Sequence, residues 1–383
     1  MKKRKFKLSK ILLFFILVFM LVSVITIYSA STYLPKYLGN LPLKQFIYYI
    51  FSFVIVFFII KIKNNNIFKV VNFLYILGVL NLFLLLIFGN EINGSKCWFV
   101  IPYIGSIQPS EFVKYILVIK LSMDCYLFFC KDGNYKKELF FILKEIIIIL
   151  IPCVLTFLEP DTGAVFMYLI ASLIIFFVAP FRKRWKFCLI ILGICFVGLF
   201  CYFYFFNRDF FINIMGDKIF YRIERLINWK NGEGMQLENS LISIGTSNIL
   251  GHGYNKTPLY FPESGTDFIY SVFASNFGLV GGISLIIVIL LFDLYLIYIS
   301  VRCTSILNKL IIVGTLSCLL YQQVQNIGMT LGLLPITGVT LPFISYGGSS
   351  LISNMIMLGI IFNIYNENRN NLSVNSQEIL QKK

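Results

Sequence analysis

The stretch ILLFFILVFMLVSVITIYSA, residues 11–30, contains no charged side chain. Twenty apolar residues in a helix cross the roughly 30 Å hydrocarbon core of a bilayer. The run follows a basic start, but it is longer than the ~7–15 apolar residues of a signal peptide, and Tyr28-Ser29-Ala30 matches a cleavage site poorly. We therefore interpret it as a retained first transmembrane helix.

Similar apolar runs recur along all 383 residues, of which 58% are hydrophobic and 13% charged. Soluble domains carry about 25% charged residues. The composition predicts one membrane domain over residues 1–383, an all-α polytopic protein with about ten transmembrane helices. The predicted spans are 11–30, 45–62, 67–89, 110–130, 141–158, 161–180, 187–206, 266–300, 310–333 and 347–365.

Basic residues set the predicted orientation. With a cytoplasmic N-terminus, 22 of the 33 Lys and Arg residues lie in inner segments and 9 in outer ones, as expected because positive charge is retained on the cytoplasmic side. Both termini, including a short tail at 366–383, are then cytoplasmic. The net charge of +15 is spread over short loops, which argues against a nucleic-acid partner and favours a lipid bilayer.

This orientation places two polar segments outside, 90–110 and a large loop, 207–266, between spans 7 and 8. Loops of this length are usually functional or disordered, and the second keeps aromatic residues and glycines, so we expect an ordered active-site loop. In the first, Ser110 is a predicted N-cap and Glu111 favours the helix N-terminus. Lys114, one turn inside a span, either pairs locally with Glu111 or binds an anionic group.

Two further acidic positions are candidates. Asp161, in the turn Glu159-Pro160-Asp161-Thr162-Gly163, either caps the next helix or contacts a metal or substrate. Thr266 is a predicted N-cap that places Asp267 in the first turn of a helix. That carboxylate is either a favourable first-turn charge, or a group that takes a proton from a sugar hydroxyl or holds a divalent cation.

The segment Asn326 to Ser350 reads NIGMTLGLLPITGVTLPFISYGGSS. Its prolines and glycines break a helix at membrane depth, and freed backbone groups there must be buried in protein or line a water-filled cavity. We predict a re-entrant, cavity-lining turn.

This hairpin resembles the signature of the RodA/FtsW/SpoVE (SEDS) family. Other motifs match over nearly the whole chain: Gly94 to Trp98 and Gln108 to Lys114 resemble the first outer-loop motif, and Glu159 to Gly163 resembles the Gln-Pro-Asp-x-Gly turn. Gln236 to Gly253 resembles the stretch that ends in Gly-x-Gly, and Pro262 to Ile269 resembles Pro-Glu-x-His-Thr-Asp-Phe-Ile.

The resemblance implies a peptidoglycan glycosyltransferase of the bacterial cytoplasmic membrane that polymerises lipid II into a nascent glycan strand during elongation, division or sporulation. It implies Asp267 as general base in an inverting-type transfer, a class B penicillin-binding protein as partner, and a divalent cation, Mg or Mn, beside the diphosphate, with Asp267 as a metal ligand to consider. The implied substrate-binding residues are Lys96, Trp98, Gln108, Ser110, Glu111, Lys114, Asp161, Glu263, Ser345, Gly347 and Gly348.

Departures from the family pattern leave two alternatives open. Cys97 and Ser106 stand where arginines are common, and Gly265 replaces a histidine. Two bidentate phosphate-binding groups are thus absent, which motivates a catalytically weak or inactive scaffold that recruits a penicillin-binding protein. A lipid II flippase is the third hypothesis, and it ranks last because no charged relay runs through the spans.

Overall fold

The computed structural model describes residues 8–32, 39–92, 95–101, 105–131, 137–191, 193, 202, 224 and 235–381. Most of this chain is helical. The helices are α1 (Lys10–Ser31), α2 (Leu41–Ile62), α3 (Asn64–Lys69), α4 (Val71–Phe88), α5 (Pro109–Lys131), α6 (Glu138–Leu158), α7 (Thr162–Val178), α8 (Met235–Gly245), α9 (Ile269–Val301), α10 (Ile306–Thr330) and α11 (Gly348–Gln381).

An all-α polytopic membrane fold is confirmed. Seven of the described helices are long and apolar enough to cross a membrane: α1, α2, α4, α6, α9, α10 and α11. Helix α7 is apolar but has only 17 residues, and α5 carries two internal ion pairs. The predicted seventh span, 187–206, and the first half of the predicted loop, 207–234, lie largely outside the described residues.

Some predicted boundaries are wrong. The third span, 67–89, is divided between α3 and α4 at Val70. The predicted tail 366–383 is helical as far as Gln381, where α11 ends.

The predicted outer loop 90–110 contains a small antiparallel sheet. Its strands β1 (Asn90–Ile92), β2 (Ser95–Ile101) and β3 (Gly105–Ile107) pair in sequence order. Trp98 pairs with Asn90, and Phe99 pairs with Ile107. Strand β3 ends at Ile107, and α5 begins two residues later at Pro109.

Close helix packing fixes the interior. A Cβ built on Gly314 of α10 would lie 2.8 Å from both Ile175 on α7 and Val118 on α5. Small residues allow helices in membranes to approach in this way. Helix α11 packs on α2, and α9 packs on α1 and α10, so the connection from α10 to α11 is enclosed by α1, α2 and α9.

Candidate active site

Asp267 lies in a turn immediately before α9, not inside the first helical turn as predicted. The helix begins at Ile269 with Phe268 as N-cap. Thr266 is not the cap, because its hydroxyl donates to Glu263 Oε2 at 2.7 Å and to the Glu263 carbonyl at 3.2 Å. That carbonyl also accepts from the backbone N–H of Thr266 and of Phe268. Glu263 therefore accepts the hydrogen bonds that close this turn, and it adopts a positive φ of 55°.

The environment of Asp267 favours a carboxyl group that exchanges its proton near neutral pH. Burial, followed by repulsion from the nearby Glu263 carboxylate, raises the pKa of Asp267 to about 7. Burial disfavours the charged form, and a second negative charge acts in the same direction. A general base is most effective when its pKa lies near the working pH.

The predicted re-entrant segment is confirmed as irregular backbone between α10 and α11, at residues 331–347. Its interior is buried in protein, and polar side chains from α1 and α2 satisfy its carbonyl groups. Ser23 donates to Ile344 O at 2.7 Å, Gln45 donates to Ser345 O at 3.2 Å, and Tyr49 donates to Phe343 O. These bonds meet the requirement for freed backbone groups in a membrane protein.

Ser345 joins this segment to the Asp267 turn. Its hydroxyl accepts from Leu341 N at 2.8 Å and donates to Thr266 O at 2.6 Å. A second bond runs from Tyr346 N to Gly265 O at 2.9 Å. Since the Ser345 hydroxyl both accepts and donates a hydrogen bond within the protein, it positions the turn that carries Asp267.

Asn326 near the end of α10 holds the other side of Asp267. Its amide nitrogen donates to the carbonyls of Asp267 and Val339, both at 2.8 Å. Asn326 begins the segment predicted as re-entrant but was not among the predicted site residues. A buried polar side chain inside a predicted span was the signal that could have identified it.

The predicted residues Gly347 and Gly348 both lie next to α2. Gly347 N donates to Gln45 Oε1 at 3.3 Å. A Cβ on Gly348 would lie 3.2 Å from the Tyr48 ring. Gly348 therefore fits closely against α2, whereas Gly347 is joined to α2 through its backbone N–H.

Asp161 is the centre of a second cluster. Its Oδ1 accepts from Ala164 N at 3.0 Å and caps α7. Its Oδ2 accepts from Gln108 Nε2 and Ser110 Oγ, each at 2.9 Å. Burial raises the pKa of Asp161, and these three hydrogen bonds oppose that rise. The capping interpretation of Asp161 is therefore confirmed.

Ser110, by contrast, is not an N-cap. Helix α5 begins one residue earlier, at Pro109, and the Ser110 hydroxyl is directed to Asp161 instead. Proline favours the first helical position because its missing N–H is not needed there. Ser110 O also accepts from Tyr168 of α7 at 3.0 Å, which ties the start of α5 to α7.

Glu111 and Lys114 form the predicted local ion pair, one turn apart on α5. The Lys114 side chain has no exposed surface, and its amine also lies 4.8 Å from the Tyr115 ring centre. Ser353 of α11 donates to the same Glu111 oxygen at 3.4 Å. In this conformation the charge of Lys114 is balanced within the protein.

The two acidic centres lie on either side of residues 337–339. A Cβ on Gly338, whose φ is +68°, would lie 3.5 Å from Asp267 Oδ2. A Cβ on Gly163 would lie 2.5 Å from Val339 Cγ2 and 3.5 Å from Thr337 O, next to Asp161. The structure thus brings the predicted Asp161 and Asp267 regions together through one short piece of the re-entrant segment.

The first outer-loop motif lies on strand β2. Lys96 is exposed and Trp98 is half-buried on β2. Between them, Cys97 is buried, and its thiol donates to Glu159 O at 3.0 Å. The Glu159 carboxylate is buried without a hydrogen-bond partner, and burial and then the charge of Asp161 raise its pKa to about 9. Glu159 is thus an acidic group of this cluster that the sequence analysis did not single out.

Within the described residues, no group of three or more His, Cys, Asp or Glu side chains is arranged to hold a metal ion. Asp267 and Glu263 offer two neighbouring carboxylates whose mutual repulsion a cation would relieve. Magnesium is commonly held by one or two carboxylates together with substrate phosphates. The residues therefore fit a cation that arrives with a diphosphate.

Comparison with known proteins supports one family. The FtsW/RodA/SpoVE family, described as "Cell cycle protein", matches residues 9–370. The probable peptidoglycan glycosyltransferase FtsW of Wigglesworthia glossinidia brevipalpis is 32% identical over 92% of this chain and 92% of its own length.

Two solved structures share the fold. A chain of a peptidoglycan synthase complex, studied for its coordination of polymerization and crosslinking, matches with a TM-score of 0.78 and 22% identity, covering 95% of this chain and 99% of that one. The rod shape determining protein RodA of Thermus thermophilus matches with a TM-score of 0.67 and 24% identity, covering 94% and 97%.

Proposed function

Because the chain belongs to the FtsW/RodA/SpoVE family, we propose that it is a peptidoglycan glycosyltransferase, which polymerises lipid II on the outer face of the bacterial cytoplasmic membrane. The observation that carries the catalytic part is the Asp267 turn. One carboxyl group with a pKa of about 7 stands at the start of a membrane helix, held by Asn326 and Ser345.

In the proposed reaction, Asp267 accepts the proton of the acceptor sugar hydroxyl as that oxygen attacks the anomeric carbon of the donor. The bond from that carbon to the diphosphate breaks, and the lipid diphosphate leaves. Attack opposite the leaving group inverts the anomeric centre. Since the pKa of Asp267 lies at about 7, its ionised form is available as a base at neutral pH.

A divalent cation, Mg or Mn, would supply charge neutralisation at the diphosphate leaving group. Asp267 and Glu263 are the residues that would hold it. The remaining proposed contacts with substrate are Lys96, Trp98 and Gln108, of which Lys96 offers an exposed positive charge. Lys114 and Asp161 contribute by keeping the start of α5 and the turn before α7 in place.

We further propose cytoplasmic termini and a class B penicillin-binding protein as partner. The charge distribution supports the orientation. The likeness to a chain of a peptidoglycan synthase complex supports the partner.

A scaffold without catalytic activity is the second candidate. Three observations favour it. Lys114 is neutralised by Glu111, Cys97 is buried against Glu159 O, and Ser106 carries no positive charge where the family commonly has an arginine. A scaffold would depend on partner binding and not on Asp267.

The two candidates separate in one experiment. Purified protein, with and without a class B partner and with Mg²⁺ or Mn²⁺, is incubated with lipid II, and glycan polymer is measured for the wild type and for Asp267→Ala. If the chain is a glycosyltransferase, we expect polymer from the wild type only, with equal partner binding by both proteins. Absence of polymer from both proteins, with partner bound, would establish the scaffold instead.

A further inference from the structure

The chain from residue 239 to 255 contains no Lys, Arg, Asp or Glu, although it lies within the predicted polar outer loop, 207–266. The second half of α8 lies in this region, after the exposed Glu238 of its first half, and its sidedness is the reverse of that of a helix in water. Ser240 and Ser243 are fully buried, whereas Leu241 and Ile242 are 41% and 42% exposed. A surface helix in water buries its apolar stripe and exposes its polar one.

Specific bonds fix this orientation. The Ser240 hydroxyl lies 2.5 Å from the Ser271 hydroxyl of α9 and donates to Thr330 O of α10 at 2.9 Å. The serine face of α8 therefore packs against the protein, and Leu241 and Ile242 point outward.

The turn that follows α8 continues the same surface. Ile249 and Leu250 are 63% and 78% exposed. The turn is joined to α9 by hydrogen bonds from Leu279 N to Asn248 O at 3.0 Å and from Val280 N to Ile249 O at 3.2 Å.

A kink in α9 makes this junction possible. Gly278 has a φ of +68° inside the helix. A Cβ on Gly251 would lie 2.2 Å from Asn276 O, so the turn and the helix backbone are in direct contact. Leu279 and Val280, just beyond the kink, are themselves 59% and 55% exposed on a helix that spans the membrane.

We propose that residues 241–250, the end of α8 and the turn that follows it, lie in the acyl region of the leaflet that faces the Asp267 turn, as an interfacial element covered by phospholipid chains, with the exposed Glu238 carboxylate at the level of the lipid headgroups. Continuity with the exposed face of α9 and the absence of charge along 239–255 favour lipid as the occupant. Helices at a membrane interface insert an apolar face in this way. The inference requires only the membrane fold, not glycosyl transfer.

Depth-dependent fluorescence quenching tests the proposal. Leu250→Trp and the control Lys256→Trp, six residues away in the same loop, are reconstituted in phosphatidylcholine liposomes with and without bromines on the acyl chains. The chain has three native tryptophans, so wild-type fluorescence is subtracted. Both variants are also made in an Asp267→Ala background, where the same result is expected because the contact does not depend on catalysis.

We expect brominated chains to quench the added Trp at position 250 at least threefold more than that at position 256, with acrylamide showing the opposite preference. Equal quenching at both positions, or preferential quenching of position 250 by acrylamide, would place the turn in water. Quenching at position 250 that appears only when protein is diluted in lipid would identify a second copy as the occupant and overturn the proposal. If the lipid result holds while both backgrounds make no polymer, only the proposed enzymatic function fails.

Discussion

Replacement of Glu263 by Gln removes one of the two effects that raise the pKa of Asp267 from 3.8 to about 7. Burial is the larger effect and the Glu263 charge the smaller, so the carboxylate accounts for less than half of the rise, or below about 1.6 pH units. Glutamine keeps an oxygen that can accept the Thr266 hydroxyl, so the turn is expected to persist.

The consequence is a shift of the pH–rate profile. With a pKa of about 7, the ionised fraction of Asp267 rises about tenfold between pH 6 and pH 8, and the wild-type rate follows it. In Glu263→Gln the midpoint falls by up to about 1.6 pH units, so the ratio of the rate at pH 6 to the rate at pH 8 rises by up to about eightfold. The ratio within each protein is compared because Glu263 would also hold the cation, and its loss can lower the rate at every pH.

The assay is the initial rate of lipid II polymerisation from pH 5.5 to 8.5, at fixed partner and cation concentration. Glu238→Gln is the control, since it removes an exposed carboxylate on α8 and should leave the profile unchanged. An unshifted midpoint in Glu263→Gln, or one that moves upward, would refute the electrostatic argument.

Three further substitutions test the packing of the site by thermal unfolding in detergent and by polymerisation rate. Asp161→Ala should lower stability by about 2–4 kcal/mol through the lost cap and two side-chain bonds, and Asp161→Asn by less, since Asn also caps helices; equal losses would contradict this. Ser345→Ala should cost about 1–3 kcal/mol and slow polymerisation; an unchanged rate would mean that it does not position Asp267. Gly163→Ala should destabilise by about 1–3 kcal/mol through its clash with the re-entrant segment, whereas the control Gly245→Ala, which has open space around its Cβ, should be neutral or stabilising.

The membrane fold could be predicted because length and apolarity determine a span almost independently of its neighbours. The irregular turn between α10 and α11 could also be predicted, since Pro335 and Pro342 lack the backbone N–H that a continuous helix needs and several glycines lie between and around them. The Glu111–Lys114 pair followed from helical spacing alone.

The predictions that were wrong depended on contacts between distant segments. Ser110 and Thr266 both have the side chain of an N-cap, but Asp161 and Glu263 compete for their hydroxyls. Local propensity could not determine which acceptor each hydroxyl uses. The contact of Gly163 with Val339 joins residues 176 positions apart and has no local signal.

The inverted sidedness of α8 was also beyond sequence reasoning. Its mixture of serines and aliphatic residues is compatible with either face being buried. Only the bonds of Ser240 to α9 and α10 determine that the apolar face points outward.

The most direct test of the account is lipid II polymerisation by Asp267→Asn, reconstituted with a class B partner beside the wild type. Asparagine preserves the size of the side chain but cannot accept the proton, so we predict loss of polymer at every pH with partner binding unchanged. Polymer formation by Asp267→Asn at the wild-type rate would contradict the assignment of Asp267 as the base.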